Sequence, residues 1–290
     1  MANLKEIRIR ISSVESTKQI TSAMKLVAAS KLKRAQDAVT RMRPYANKLT
    51  EILQDLSSGA ENDGNVYGEQ RDIEKVLLVA ISSNRGLCGA FNANVVKRIN
   101  HLLEEDYAAQ YRSGDVDVLT IGRKVTEAFA KSDLEVIESH DDIWNDLNWE
   151  NAIEIAESIL ELFKEGEYDR IDLVYNQFKN AATQILTHEQ FLPVKPIEDD
   201  GISEKTNDYI MEPSKEVIIT ELIPKTLKTQ LYKALLDSHA AEHGARMTAM
   251  HQATDNATEL VKDLKLTYNK ARQTAITNEI IEIVSGANAL

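Results

Sequence analysis

One cysteine, Cys88, in 290 residues excludes an internal disulfide and any zinc site built from several thiolates, and it agrees with a reducing compartment. Five prolines and eleven glycines leave long unbroken stretches rich in Ala, Leu, Glu and Lys, so the chain is expected to be helix-rich rather than all-β. No apolar run reaches the roughly 18 to 20 residues that a membrane span needs. The first ten residues are charged where the apolar segment of a signal peptide would lie, and the expected location is therefore the cytoplasm. The length sits at the upper edge for one core, so the expectation is a compact domain plus an extended element, or two small domains.

What charge there is lies unevenly. The whole chain carries −12, yet residues 1–56 hold eleven Lys or Arg against five Asp or Glu. A basic segment on an acidic protein seeks an acidic partner. Nucleic acid fits poorly, because this segment has a single aromatic, Tyr45, and no zinc-finger, RNP or basic-zipper pattern.

The first forty-three residues contain neither Gly nor Pro, and Asn3 followed by Glu6 reads as a capping box that starts a helix. Apolar or small residues then recur at heptad spacing: Leu4, Ile7, Ile11, Val14, Thr21, Ala28, Leu32, Ala35, Val39, Met42, Ala46, Leu49, Leu53 and Leu56, with Lys18 and Lys25 interrupting. A repeat this long predicts a coiled coil. Pro44 predicts a kink, and the polar, glycine-bearing stretch Ser57–Gly68 predicts the stop.

From Ile73 the pattern changes. Val76–Ile81, Val116–Ile121 and Ile171–Tyr175 read as buried strands, while Ala93–Tyr111, Arg123–Lys131 and Glu150–Glu165 read as helices. Such alternation predicts an α/β domain on a mainly parallel sheet, with a further strand near Gln184–His188. Pro193, Pro196 and the acidic Glu198–Asp200 read as a linker. After Pro224 the helical pattern resumes, and Gly244 is the one breaker before Ser285, giving a helix of roughly 90 Å. Its stripe of Ala234, Ser238, Ala241, Ala245, Ala249, Ala253 and Ala257, continued by Leu260, Leu264, Thr267 and Ala271, would let a partner helix approach closely, and the N-terminal helix is the natural partner. The expected class is thus α/β with a long antiparallel coiled coil made by the N- and C-terminal helices and a central Rossmann-like α/β domain. Its parts are a helix over 1–58, the α/β domain over 70–197, a linker or foot over 198–224 and a helix over 225–290.

Candidate chemistry is sparse. His239-Ala-Ala-Glu242-His243 fits the H-x-x-E-H pattern of inverted zinc peptidases, but a third ligand motif is missing, so solvated helical histidines are the plainer expectation. The turn Ser82–Asn92 places glycines between a strand and a helix, as phosphate loops do, yet it has no G-x-x-x-x-G-K-[ST], no G-x-G-x-x-G and no lysine for a terminal phosphate. A structural turn with Cys88 tucked in is expected instead. The acidic clusters read as solvated faces.

Three stretches carry a resemblance. Lys5-Glu6-Ile7-Arg8 through Val27-Ala28-Ala29 and Lys31, the turn Arg85-Gly86-Leu87-Cys88-Gly89, and Ala245-Arg246-Met247 through Glu282-Ile283-Val284-Ser285-Gly286-Ala287 closely resemble, in order, the gamma subunits of F-type ATP synthases. Asn84 stands where many relatives have Asp, and the paired cysteines of chloroplast relatives are missing.

The resemblance implies a non-catalytic rotor stalk, present once in a hetero-oligomer, peripheral to the cytoplasmic side of a bacterial inner membrane and not inserted in it. Its implied partners are the alpha, beta and epsilon subunits and the ring of c subunits. It implies no cofactor on this chain, with ATP or ADP and Mg held by the alpha and beta partners, and no nucleic acid. By matching motif, Met24, Lys25, Arg272, Gln273 and Thr277 would contact the beta subunit. Lys31, Lys33, Arg34, Tyr209 and Glu212 would form the foot on the c ring and epsilon. Ile280, Ile283, Val284, Ala287 and Leu290 would form an apolar bearing tip, since an apolar end makes few directional bonds that must break on turning. A core contact would explain the same apolar end. Two other classes stay open from the residues alone: a stand-alone coiled-coil scaffold, and a catalytic α/β domain with a helical dimerisation arm.

Overall fold

The computed structural model describes residues 4–57, 66–194 and 215–288. Two helices carry most of the chain outside the sheet: α1, Leu4–Ser57, of 54 residues, and α6, Lys215–Asn288, of 74. Between them run β1 (Val76–Ile81), α2 (Phe91–Glu104), α3 (Ala108–Ser113), β2 (Val116–Ile121), α4 (Arg123–Phe129), β3 (Glu135–Ser139), α5 (Trp149–Lys164), β4 (Arg170–Phe178) and β5 (Gln184–Leu192). By internal contacts the chain divides into a unit of Met1–Ala29 with Arg246–Leu290 and a unit of Ser30–Ala245.

In the second unit the strands form one sheet in the order β3-β2-β1-β4-β5. β1 pairs in parallel with β2 and β4, and β2 with β3; β5 runs antiparallel to β4. The central strand β1 is buried along its whole length, and its alternate residues feed two cores, as a period of two requires. Leu77, Val79 and Ile81 meet α5 and the start of α6 through Ile159, Phe163 and Leu231. Val76, Leu78 and Ala80 meet α2 and α4 through Val95, Ile99 and Phe129. Helices on both faces explain why these strands are nearly continuous apolar runs.

Local chemistry sets the boundaries. Asn148 caps α5 by accepting from the Asn151 amide at 2.8 Å. Gly122, between β2 and α4, adopts φ 110°, and a Cβ there would lie 2.3 Å from the Ser82 carbonyl oxygen, so no other residue fits.

Several expectations need correction. The single helix read over Ala93–Tyr111 is two, α2 and α3, because the chain turns to bury Tyr107, whose hydroxyl donates to the fully buried Asp172. β3 was not anticipated; its half-exposed sequence, Glu-Val-Ile-Glu-Ser, lacks the apolar run that marks a central strand. α6 already begins at Lys215 and passes through Pro224. Burial of Ile223, Leu227 and Leu231 at four-residue steps outweighs the donor that proline lacks. α1, read as passing Pro44, does continue through it to Ser57.

In the first unit the N-terminal turns of α1 pair antiparallel with α6. Arg8 Nη2 donates to Tyr268 Oη at 2.7 Å, Lys265 Nζ to Glu15 Oε1 at 2.7 Å, and Thr254 Oγ1 to Thr21 Oγ1 at 2.8 Å. Ile7, Thr21 and Ala28 of the predicted seam are buried, and Leu4, Ile11 and Val14 half-buried. On α6 the seam departs from the predicted stripe after Ala257: Val261, Leu264, Tyr268 and Ala271 face inward, while Leu260 and Thr267 are exposed. Alternating four- and three-residue steps keep one face toward a partner helix, whereas the predicted step from Ala257 to Leu260 arrives one residue early.

Candidate functional site

At the N-terminus of α4, one place where an α/β fold would bind a ligand, the chain itself fills the site. In open α/β sheets a ligand sits beyond the carboxyl ends of the strands, against the amides of a helix N-terminus. Here those amides are occupied at α4: Arg123 N donates to Asn84 Oδ1 at 3.0 Å, Lys124 N to Ser83 O at 3.2 Å and Val125 N to Ser82 Oγ at 3.1 Å. Asn84 in turn donates to Asp141 O at 2.7 Å. A neighbouring open hollow of about 320 Å³ is lined by Asp141, Asp142 and Glu154, the wrong sign for phosphate. Cys88 is buried in the turn, with Asn92 Nδ2 donating to its sulfur at 3.3 Å, as a structural turn predicts.

The histidine pair is not solvated, contrary to expectation. His243 is buried, its Nε2 lies 3.1 Å from His239 Nε2, and His239 stacks on Trp144 with ring centroids 5.6 Å apart. From Ala234 to Gly244 only His239 is more than marginally exposed, because α6 there lies in the core of its unit. Among the described residues no group of three or more His, Cys, Asp or Glu is placed to hold a metal.

A buried polar network holds the sheet edge instead. Asp172 accepts from Tyr107 Oη, lies 2.6 Å from His188 Nε2 and accepts from Arg170 Nε at 2.9 Å; Arg98 Nη2 is 3.4 Å from His188 Nδ1. Burial alone would push the Asp172 carboxyl up, but the bonds from His188 and Tyr107 and the Arg170 charge outweigh it and hold it below the usual range. A second buried carboxylate, Asp237 on α6, has no hydrogen-bond partner for either oxygen; Arg43 of α1 approaches to 3.6 Å. Sequence reading passed over both, although an aspartate inside the apolar strand Arg-Ile-Asp-Leu-Val-Tyr is a visible signal.

One surface of α6 is left uncovered by the described residues. Past Ala271 every residue of α6 through Asn288 is exposed, including Ile276, Ile280, Ile281, Ile283 and Val284, whose exposure runs from 48% to 66%. The reason is arithmetic of length. Tyr268 is level with Arg8, so α6 outruns the start of α1 by several turns. The alternative of a core contact for this end is excluded within the described residues. Contiguous exposed apolar side chains of this extent mark an interaction surface.

Other predicted positions fall as follows. Arg272, Gln273 and Thr277 are exposed on this same end, with Thr277 Oγ1 donating to Gln273 O at 2.9 Å. Met24 and Lys25 are half-buried on α1, with Lys25 Nζ 3.5 Å from His251 Nδ1. His251 and Arg272 are separated by about 30 Å of α6, so these two groups form separate patches. Beside Met24, Leu26 and Val27 are exposed by 69% and 59%, a patch that the heptad reading left unnamed because both lie off the seam. Lys31, Lys33 and Arg34 are exposed in the second unit, Lys33 paired with Asp37 at 3.2 Å. Ala287 is exposed, whereas Tyr209, Glu212 and Leu290 lie outside the described residues. No helix among the described residues is long and apolar enough to cross a membrane.

Comparison with known proteins agrees with this surface reading. The family profile described as ATP synthase matches residues 3–290. The ATP synthase gamma chain of Flavobacterium johnsoniae is 61% identical over 291 residues, covering 100% of this chain and 99% of that one, and the gamma chain of Cytophaga hutchinsonii is 50% identical over 293 residues with the same coverage. Among solved structures, a chain of the Tetrahymena thermophila mitochondrial ATP synthase central stalk and c-ring is 25% identical, with a TM-score of 0.59 over 81% of this chain and 99% of that one. A chain of the Euglena gracilis mitochondrial ATP synthase rotor, 22% identical, shares the fold with a TM-score of 0.67 over 94% of this chain and 98% of that one. The chain belongs to the ATP synthase gamma-chain family.

Proposed function

We propose that this chain is the central rotor stalk of an F-type ATP synthase, coupling ion flow through a membrane ring of c subunits to ATP synthesis or hydrolysis in a surrounding ring of alpha and beta subunits. The observation that carries the proposal is the exposed apolar end of α6, which outruns its helical partner and is covered by none of the described residues. Such an end suits a sleeve contributed by other subunits, because dispersion contacts are non-directional and a turning shaft breaks no fixed hydrogen-bond geometry there. Different faces of the antiparallel helix pair would then meet each beta subunit in turn and alter its nucleotide affinity.

Within this reading Met24, Lys25, Arg272, Gln273 and Thr277 face the beta subunits, and the basic excess of α1 favours an acidic surface there. Lys31, Lys33 and Arg34, with Tyr209 and Glu212, form the foot on the c ring and the epsilon subunit. The chain is non-catalytic and holds no nucleotide or Mg; these reside on the alpha and beta partners. The occupied amides at α4 and the acidic hollow beside them support this. The assembled protein sits peripherally on the cytoplasmic side of the bacterial inner membrane.

The test is direct. The alpha–beta ring is assembled with this chain, immobilised through beta, and a bead is attached through Ser113→Cys on the exposed end of α3. Unidirectional, ATP-dependent rotation is expected, and the free chain hydrolyses no ATP. A stationary bead on an ATP-hydrolysing complex, or turnover by the free chain, rejects the reading.

A further inference from the structure

The H-x-x-E-H motif of α6 has no part in the rotor reading, yet the fold gives it a definite geometry. A four-residue step on a helix puts His239 and His243 on one face. Here their Nε2 atoms come to 3.1 Å, with ring centroids 4.5 Å apart and planes inclined at 70°. His243 is 4% exposed, and His239 is half-buried. His239 is positioned in turn by Trp144, whose ring stacks on it at 5.6 Å and 15°. All three residues belong to the second unit.

The group stands on the side of the sheet where such folds take ligands. A Cβ on Gly122, the residue after β2, would lie 2.9 Å from Trp144 Nε1, so the indole lies at the carboxyl end of a parallel strand. That indole N–H is buried and has no hydrogen-bond partner among the described residues, which leaves a donor in the stack for a water or a small anion. Two neutral imidazoles that face each other through the same nitrogen share one proton, donated from one Nε2 and accepted by the other. A proton is one occupant of that gap; a cation is another. Nitrogens 3.1 Å apart can both lie about 2.1 Å from one ion, with an angle of about 95° between them, close to what an octahedral or tetrahedral shell uses.

We propose that His239 and His243 are a two-imidazole chelate for a divalent transition metal, Cu²⁺, Ni²⁺, Co²⁺ or Zn²⁺, with water or a small anion completing its shell. An imidazole pair does not suit Mg²⁺ or Ca²⁺, which take oxygen ligands. Among the described residues no third His, Cys, Asp or Glu joins the pair, so the site is an open, reversible one and not a closed structural centre. Ligation needs a lone pair on both Nε2 atoms, and the shared proton passes to Nδ1 of its own ring. The ion would then staple two successive turns of α6 beside the sheet. The site is independent of the rotor reading, since it needs only the fold of this unit.

The test uses the untagged full chain carrying Trp149→Phe, which leaves Trp144 as its single tryptophan. Titrated with Cu²⁺ or Ni²⁺ alone, its fluorescence is expected to fall by about half or more and to level off at one ion per chain, because the ion sits on a ring stacked against the indole. Cu²⁺ should bind more tightly than Ni²⁺, and Ni²⁺ than Co²⁺, while Mg²⁺ changes nothing and EDTA restores the signal. His239→Gln and His243→Gln should each weaken the apparent affinity by about ten-fold or more. Pulsed EPR of the Cu²⁺-loaded parent needs no substitution in the buried helix and counts the coordinated imidazoles directly; two are expected. Unchanged fluorescence at millimolar Ni²⁺, quenching undiminished in both glutamine variants, or a single imidazole on Cu²⁺ each overturns the chelate.

Discussion

Thr254 Oγ1 lies 2.8 Å from Thr21 Oγ1 across 233 positions of sequence, sharing its one hydroxyl proton between Thr21 and the Met250 carbonyl at 2.7 Å on its own helix. This contact lies between the Lys25–His251 and Glu15–Lys265 contacts, close to the former, and marks the level at which the two terminal helices meet. A neutral hydrogen bond at a half-buried site is worth about 1 kcal/mol net. Thr21→Val should therefore destabilise the free chain by about 1 kcal/mol in urea melts. Combined with Thr254→Val it should cost clearly less than the two losses added, since the second change removes a partner already lost.

Gly122 admits no side chain. With φ at 110° and a prospective Cβ 2.3 Å from a backbone oxygen, Gly122→Ala should cost at least about 3 kcal/mol through strain and overpacking together. The expected outcome is insoluble protein or a thermal midpoint lowered by well over ten degrees, measurable by circular dichroism. A variant with the parent's midpoint would refute the described turn.

The exposed end of α6 should behave oppositely. Ile280→Glu with Ile283→Glu, at positions 56% and 66% exposed, should leave the stability of the free chain within about 0.5 kcal/mol. The same pair should sharply reduce recovery of the alpha–beta–gamma complex on size-exclusion chromatography, because a charge entering an apolar sleeve loses its hydration. Equal recovery would show that the sleeve does not touch these residues.

Two buried carboxylates pull the pH dependence in opposite directions. Asp172 is held below the usual range, so its stabilisation is present above the unfolded-state value of about 4 and is lost as pH falls through the folded value. Asp237 is raised, chiefly by burial, with Arg43 and Lys233 pulling against it, so its contribution is full below about 4 and is lost as pH rises through the folded value. Urea melts of Asp172→Asn should accordingly lose less stability than the parent on acidification below pH 5. Those of Asp237→Asn should lose less than the parent as pH rises from 4 to 7.

Much of this was legible in the sequence. The seam from Ile7 to Leu49 of α1 and the buried strands Val76–Ile81 and Val116–Ile121 follow from periodicity, which encodes which face is wet. The break between α2 and α3 was not legible, because what makes the chain turn is Tyr107 reaching Asp172, 65 positions onward. The burial of His243 and the stacking of His239 on Trp144 were equally hidden. Their neighbours along the helix are alanines that suit core or surface alike, and only Trp144 and the approach of Ala181 to Gly244 show which applies. Motif resemblance named Arg272, Gln273 and Thr277, and it carried no information on Asp237, whose meaning depends on Arg43.

α6 begins among the sheet's core residues, continues with one face covered and finishes with none. A newly synthesised copy released ahead of its partners would expose the oily side chains of Ile276, Ile280, Ile281, Ile283 and Val284 to water, inviting clumping and proteolysis. Cells making this protein therefore benefit from producing all companion subunits in matched numbers, and an orphan surplus should be degraded first within that exposed stretch of α6.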